Sequence, residues 1–125
     1  MISAFIFPGQ GSQSVGMGKN LADAYPAAKA VFEAVDDALD QKLSSLMFEG
    51  PEDKLMLTEN AQPAIMAVSV AVIRVLESQG RLNIANAASY VAGHSLGEYS
   101  AHAAAGTFSL ADTARLLRKR GQAMQ

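Results

Sequence analysis

The order of elements along the 125-residue sequence predicts an α/β fold, with helices covering a parallel sheet. Two short apolar runs, Ile2-Ser3-Ala4-Phe5-Ile6-Phe7 and Ala88 to Ala92, read as buried strands. The segments between and after them repeat apolar residues at helical spacing. The second run also enters a serine bracketed by glycines, the kind of turn that joins a strand to a helix. Composition agrees with a packed domain: 50% of residues are hydrophobic, 18% are charged, and the formal net charge is -2. A chain of this length buries roughly two thirds of its unfolded surface. That balance excludes an acidic disordered chain and leaves no basic footprint for nucleic acid. Cysteine is absent, so disulfides, thiolate metal sites and a cysteine nucleophile are excluded.

Taken in order, Ile2 to Phe7 is apolar nearly throughout, which predicts a central strand covered on both faces. It is too short for a signal peptide and lacks a basic flank. Pro8-Gly9-Gln10-Gly11-Ser12 ends it, because Pro8 cannot donate to a ladder and the glycines permit unusual dihedrals. Two helical patterns follow. The second, Pro26 to Leu39, starts with proline in its first turn and places Ala30, Val31, Ala34, Val35 and Ala38 on one face. Shorter helical pieces are expected around Leu43-Met47 and Pro51-Leu57.

A long helix is predicted from Asn60 or Ala61 to Gln79, with Asn60 as cap, Pro63 in the first turn and Gly80 as the stop. Its most apolar stretch, Ala64 to Leu76, is about 13 residues and carries Arg74. That falls short of the ~20 residues of a membrane span and predicts a buried helix. After the second strand, a small-residue helix from Leu96 to Ala105 ends at Gly106. The last helix opens at Ser109, where Ser109 and Asp112 suggest a capping box, and runs to the end. The expectation is a soluble, cytoplasmic, monomeric protein with no membrane or nucleic-acid partner. Two strands are few for this many helices, since such sheets usually carry about five or six. With the chain stopping inside an amphipathic helix at Met124-Gln125, residues 1–125 are expected to be the N-terminal part of a larger domain.

The candidate chemistry sits at Gly93-His94-Ser95-Leu96-Gly97. Strand-like Tyr90-Val91-Ala92 before it and a helix-like segment after it give the setting a nucleophile elbow requires. Ser95 either caps the helix or serves as a nucleophile; the flanking glycines and the preceding strand favour the nucleophile. The turn would strain Ser95 by about 1–3 kcal/mol and aim the helix N-terminus at its hydroxyl, so that the Leu96 amide meets a developing oxyanion. The Gly9-Gln10-Gly11-Ser12-Gln13 loop leaves the first strand at the edge where ligands bind in such sheets, and offers a second donor. It lacks the spacing of a nucleotide-binding loop.

Serine needs a general base, usually histidine. His94 adjoins Ser95 and leaves the backbone in another direction; His102 lies seven residues on, a rise of ~10 Å along a helix. Neither suits contact at about 3 Å. In the last helix Leu110, Ala114, Leu117, Gly121 and Met124 form the apolar stripe, and Arg120 lies about 80° from its centre. A guanidinium at that angle either snorkels outward or meets an anion.

At these residues the sequence resembles the malonyl-CoA:acyl carrier protein transacylases of fatty acid synthesis. The resemblance rests on Phe7-Pro8-Gly9-Gln10-Gly11-Ser12-Gln13, Thr58 to Pro63 (Thr-Glu-Asn-Ala-Gln-Pro), Gly93 to Tyr99, Arg120-Gly121 and Met124-Gln125, in the family's order and along the whole chain. It implies an α/β-hydrolase-like core, of which residues 1–125 are the N-terminal part, with a ferredoxin-like subdomain following Gln125. It implies that malonyl passes from coenzyme A to Ser95 and then to the phosphopantetheine thiol of acyl carrier protein. On this analogy the Gln10 and Leu96 amides form the oxyanion hole, Arg120 grips the malonyl carboxylate and Met124 lines the acyl pocket. Neither a metal nor a cofactor of the enzyme's own is implied, coenzyme A thioester being a substrate. The family's catalytic histidine lies in its second half, so residues 1–125 alone are expected to be inactive. The competing readings are an acyltransferase domain of a polyketide or fatty acid synthase, a related serine esterase or phospholipase, and a non-catalytic binding module.

Overall fold

The computed structural model describes residues 2–125. The chain runs β1 (Ala4–Phe7), α1 (Lys19–Ala24), α2 (Pro26–Leu39), α3 (Leu43–Glu49), α4 (Glu52–Leu55), α5 (Thr58–Ser78), α6 (Ile84–Ala87), β2 (Tyr90–Gly93), α7 (Gly97–Ala105) and α8 (Leu110–Met124). β1 and β2 pair in parallel, Ala4 opposite Tyr90 through to Phe7 opposite Gly93. This is the predicted parallel arrangement, and the long segment between the strands supplies the crossover that parallel pairing needs.

α5 is the spine of the fold. It packs against α2, α7 and α8, and every residue from Asn60 to Ala67 is buried. Val35, Leu43, Met47, Leu55, Met66 and Leu117 are among the fully enclosed side chains of the main core. A smaller cluster of Phe7, Ile73, Ile84 and Ala101 lies against one face of the strand pair. By length and composition α5 is the one helix among the described residues able to cross a membrane. Its burial instead makes it the core helix that the sequence predicts.

Several expectations are corrected. β1 is covered on one face only: Phe7 is 4% exposed and its neighbour Ile6 is 77% exposed. Alternate side chains of a strand point to opposite faces, and these residues place no layer over the Ile6 side. The strand also starts later than Ile2, and β2 starts at Tyr90 rather than Ala88. Ala88 instead ends α6, a single turn too short to show periodicity, which Asn83 opens by accepting from the Ala85 amide. α5 begins at Thr58, two residues before Asn60, so Asn60 is not its cap. Its side chain donates to the Lys54 carbonyl at 2.8 Å and accepts from Arg118 at 2.7 Å. The amide of Glu59 is met by Gln125 Oε1 at 3.3 Å, so the end of α8 caps the start of α5. The other boundaries agree more closely: α2 spans the predicted Pro26–Leu39. Ser109 Oγ accepts from the Asp112 amide at 3.1 Å, while the Asp112 carboxylate pairs with Arg115 rather than completing a reciprocal box.

Two devices fix α8 on α5. Arg118 is the first: it spans Asn60, Glu59 and Gln41 and so joins α8, α5 and the turn after α2. Burial pushes its guanidinium below the usual arginine range, and Glu59 partly offsets that shift. Gly121 is the second device. A Cβ there would lie 2.6 Å from the Glu59 Cα and 2.8 Å from the Thr58 carbonyl oxygen.

An alanine inside a helix ordinarily gains about 1 kcal/mol over glycine. At position 121 the close crossing reverses the sign, and Gly121→Ala is expected to cost about 1–3 kcal/mol through overpacking. Urea denaturation measures this; an unchanged or raised midpoint would show that the helices do not meet so closely.

Candidate active site

The serine turn is built by backbone packing. Beyond the last strand pair, the His94 amide continues the ladder to the Phe7 carbonyl at 3.1 Å. The chain then reverses: the Gly97 amide bonds to His94 O at 2.9 Å and the Glu98 amide to Ser95 O at 3.1 Å. Closing the turn puts Ser95 at φ 57, in the left-handed region. A Cβ on Gly93 would run into the backbone of Gly97 and Glu98, and one on Gly97 into the carbonyl end of β1 at Phe7 and Pro8. Both collisions are with main chain, so the glycines are steric requirements of the elbow.

The Gly9 to Gln13 loop abuts this turn. A Cβ on Gly9 would lie 2.6 Å from His94 Nδ1 and 2.8 Å from the His94 carbonyl oxygen. The loop is held internally by Gln13, which is buried and accepts from the Gly11 amide at 2.7 Å, and by Ser12 Oγ donating to Gly9 O at 2.9 Å. Gln10 Nε2 reaches Thr58 Oγ1 at 3.3 Å and ties the loop to the start of α5. Among the described residues, the backbone amides of Gln10 and Leu96 have no hydrogen-bond acceptor, and they remain free to donate.

Arg120 lies at the same turn. Its Nη2 donates to Ser95 Oγ at 3.1 Å, its Nη1 donates to Gln62 Oε1 at 2.7 Å, and its guanidinium carbon is 5.5 Å from the centre of the Tyr99 ring. The alternative of an outward snorkel is thereby decided in favour of an inward guanidinium. All three partners are neutral. Arg115 and Arg118, by contrast, have carboxylates within 4 Å. Among the described residues Arg120 has no carboxylate within 4 Å, so an anion beside the serine would find a planar, two-pronged positive donor. Met124, one turn on, is more exposed than its place on the apolar stripe suggests, at 57%, yet its sulfur accepts from Gln62 Nε2 at 3.4 Å.

Neither histidine is bonded to Ser95. His94 sits on Gly9, and His102 stacks on Phe108 with ring centres 4.8 Å apart. Among the described residues no group of three or more His, Asp, Glu or Cys is arranged to hold a metal ion. Ser95, Leu96, Gln10, Arg120 and Met124 are thus brought to one place, with no general base bonded to Ser95 among the described residues. Gln62 and Tyr99 join them. The sequence reading quoted both only as part of a signature. The available signal for Gln62 was an uncharged polar residue on the apolar face of the longest helix.

The family described as acyl transferase domain matches residues 4–125. The malonyl CoA-acyl carrier protein transacylase of Bacillus subtilis (strain 168) is 50% identical over 121 residues, covering 97% of this chain and 37% of that protein. The crystal structure of an acyl-carrier-protein-S-malonyltransferase from Bartonella henselae superimposes with TM-score 0.97 at 67% identity, covering 100% of this chain and 40% of the other. A malonyl-transacylase solved in complex with its type II polyketide synthase acyl-carrier protein gives TM-score 0.91 at 42% identity, covering 100% of this chain and 39% of that one. The chain spans about two fifths of the length of these relatives. Their structures place it in an α/β acyltransferase fold, here mostly helical with a small parallel sheet.

The left-handed serine carries a test that needs no substrate. A Cβ in this conformation costs about 1–2 kcal/mol, partly balanced by the entropy glycine loses on folding. Ser95→Gly is therefore expected to be more stable than Ser95→Ala by up to about 1 kcal/mol. Equilibrium denaturation of the two variants checks it, and a clearly less stable glycine variant would argue against a strained turn.

Proposed function

Because the chain belongs to the acyl transferase domain family, we propose that Ser95 is the acyl-carrying nucleophile of a malonyl-CoA:acyl carrier protein transacylase. One observation carries the reading: the hydroxyl of a left-handed serine on an elbow lies 3.1 Å from an arginine that has only neutral partners among the described residues. In a malonyl thioester the carboxylate carbon is only about 2.5 Å from the reacting carbonyl carbon, two bonds away. A cation that recognises it must therefore adjoin the nucleophile, as Arg120 does.

Ser95 Oγ attacks the thioester carbonyl carbon while its proton passes to a base. The carbonyl electron pair moves onto oxygen, where the Gln10 and Leu96 amides receive the charge; such donors contribute about 3–4 kcal/mol each. Re-formation of the carbonyl breaks the C–S bond, and coenzyme A leaves as the thiol with that proton. The phosphopantetheine thiol of acyl carrier protein then attacks the serine ester by the same steps and returns the proton to Ser95. The substrate carboxylate takes over the guanidinium and releases Oγ from its hydrogen bond to Arg120, so binding frees the nucleophile. Arg120 stays protonated and is no base; the reading assigns that role to the histidine of the family's second half. The strand–elbow–helix unit also supports an α/β-hydrolase-like core. An esterase or phospholipase would have no use for an unpaired arginine beside its serine.

Arg120→Ala in the complete enzyme is expected to lower kcat/KM for malonyl transfer roughly 100-fold, in line with one charge-assisted pair, while acetyl transfer stays within a few fold or rises. Steady-state assays with malonyl-CoA and acetyl-CoA measure both. Equal losses would sink the clamp assignment.

A further inference from the structure

Resting on the malonyl reading, the geometry points to Gln62 as the residue that positions Arg120 and, by being neutral, preserves its selectivity for acyl groups carrying a carboxylate. Gln62 has no exposed surface, although it is a polar residue in the middle of an apolar helix face. A buried amide must satisfy both its ends. Gln62 does so on the two α8 residues of the acyl pocket: Oε1 accepts from Arg120 Nη1 at 2.7 Å, and Nε2 donates to Met124 Sδ at 3.4 Å. Arg120 and Met124 lie one helical turn apart, so a single side chain from α5 orients both.

The chemistry of the amide matters as much as its place. An acceptor is needed to keep the long arginine from snorkelling out. A carboxylate in the same place would hold it more firmly, yet would neutralise the charge the substrate needs and occupy donors in the two-pronged fork. Glutamine is the uncharged acceptor of the right length; asparagine is one methylene short. Gly121 contributes indirectly, because its close approach to Thr58 and Glu59 brings α8 within reach of the Gln62 side chain.

Two variants of the complete enzyme, Gln62→Glu and Gln62→Met, test this against Arg120→Ala. Gln62→Glu is expected to raise KM for malonyl-CoA roughly tenfold or more, while acetyl transfer through Ser95 changes less than about threefold. Gln62→Met, similar in volume and without an acceptor, is expected to raise the malonyl KM by a smaller factor. Circular dichroism and thermal melting establish that each variant folds, and Gln62→Met decides the question if Gln62→Glu does not. Malonyl and acetyl transfer falling together would mark Gln62 as a packing residue only and overturn the proposal. Unchanged malonyl KM in folded Gln62 variants would overturn it too, while loss of malonyl preference in Arg120→Ala would leave the malonyl reading standing. If Arg120→Ala itself keeps its malonyl preference, the clamp assignment on which this inference rests fails instead.

Discussion

The site depends on one steric constraint, the meeting of three backbones at the serine turn. The end of β1, the end of β2 and the first turn of α7 approach so closely that positions 93 and 97 admit no Cβ. That contact does several jobs at once. It forces Ser95 to φ 57, with its hydroxyl within 3.1 Å of Arg120. It leaves the Leu96 amide outside the helix ladder, and it sets the Gly9 loop against His94. Strain stored at a functional site persists only where the surroundings over-determine it. Here the groups that crowd positions 93 and 97 are main chain, which has little freedom to relax.

The second condition is electrostatic and comes from the helices. α5 and α8 cross closely at Gly121, Arg118 fastens the crossing with hydrogen bonds and a nearby carboxylate, and Arg120 on the neighbouring face is left with an amide, a hydroxyl and an aromatic ring. Two arginines two residues apart thus do different work. The one paired with Glu59 holds the fold together, and the one without a carboxylate is available to a ligand. A neutral shell costs the protein some stability compared with an ion pair, and it keeps the charge unspent for an incoming anion.

Much of this was legible in the sequence because the decisive features are local. The elbow is read from Gly93, Ser95 and Gly97 between a strand pattern and a helix pattern. The ends of α2 and α7, and the Ser109 cap, follow from proline, glycine and serine at the expected offsets. What was not legible depends on partners far along the chain. Asn60 has the composition of a cap and is instead held by Lys54 and Arg118, while the true start of α5 is served by Gln125. The open face of β1 could not be foreseen from an apolar run that predicts cover on both sides. Gln62 was visible as a letter in a motif, but its role depends on Arg120, 58 positions away. Arg120 itself stood at an ambiguous angle on its helix, and only the packing of α8 on α5 turns it inward.

The most direct test is to expose the complete protein briefly to malonyl-CoA, quench it in acid, and locate the adduct by peptide mass spectrometry, with Ser95→Ala as the control. The account predicts one malonyl group, on Ser95, absent from the alanine variant and discharged by acyl carrier protein. A malonyl group found on another residue, or an unmodified Ser95 in protein that turns over malonyl-CoA, would contradict it.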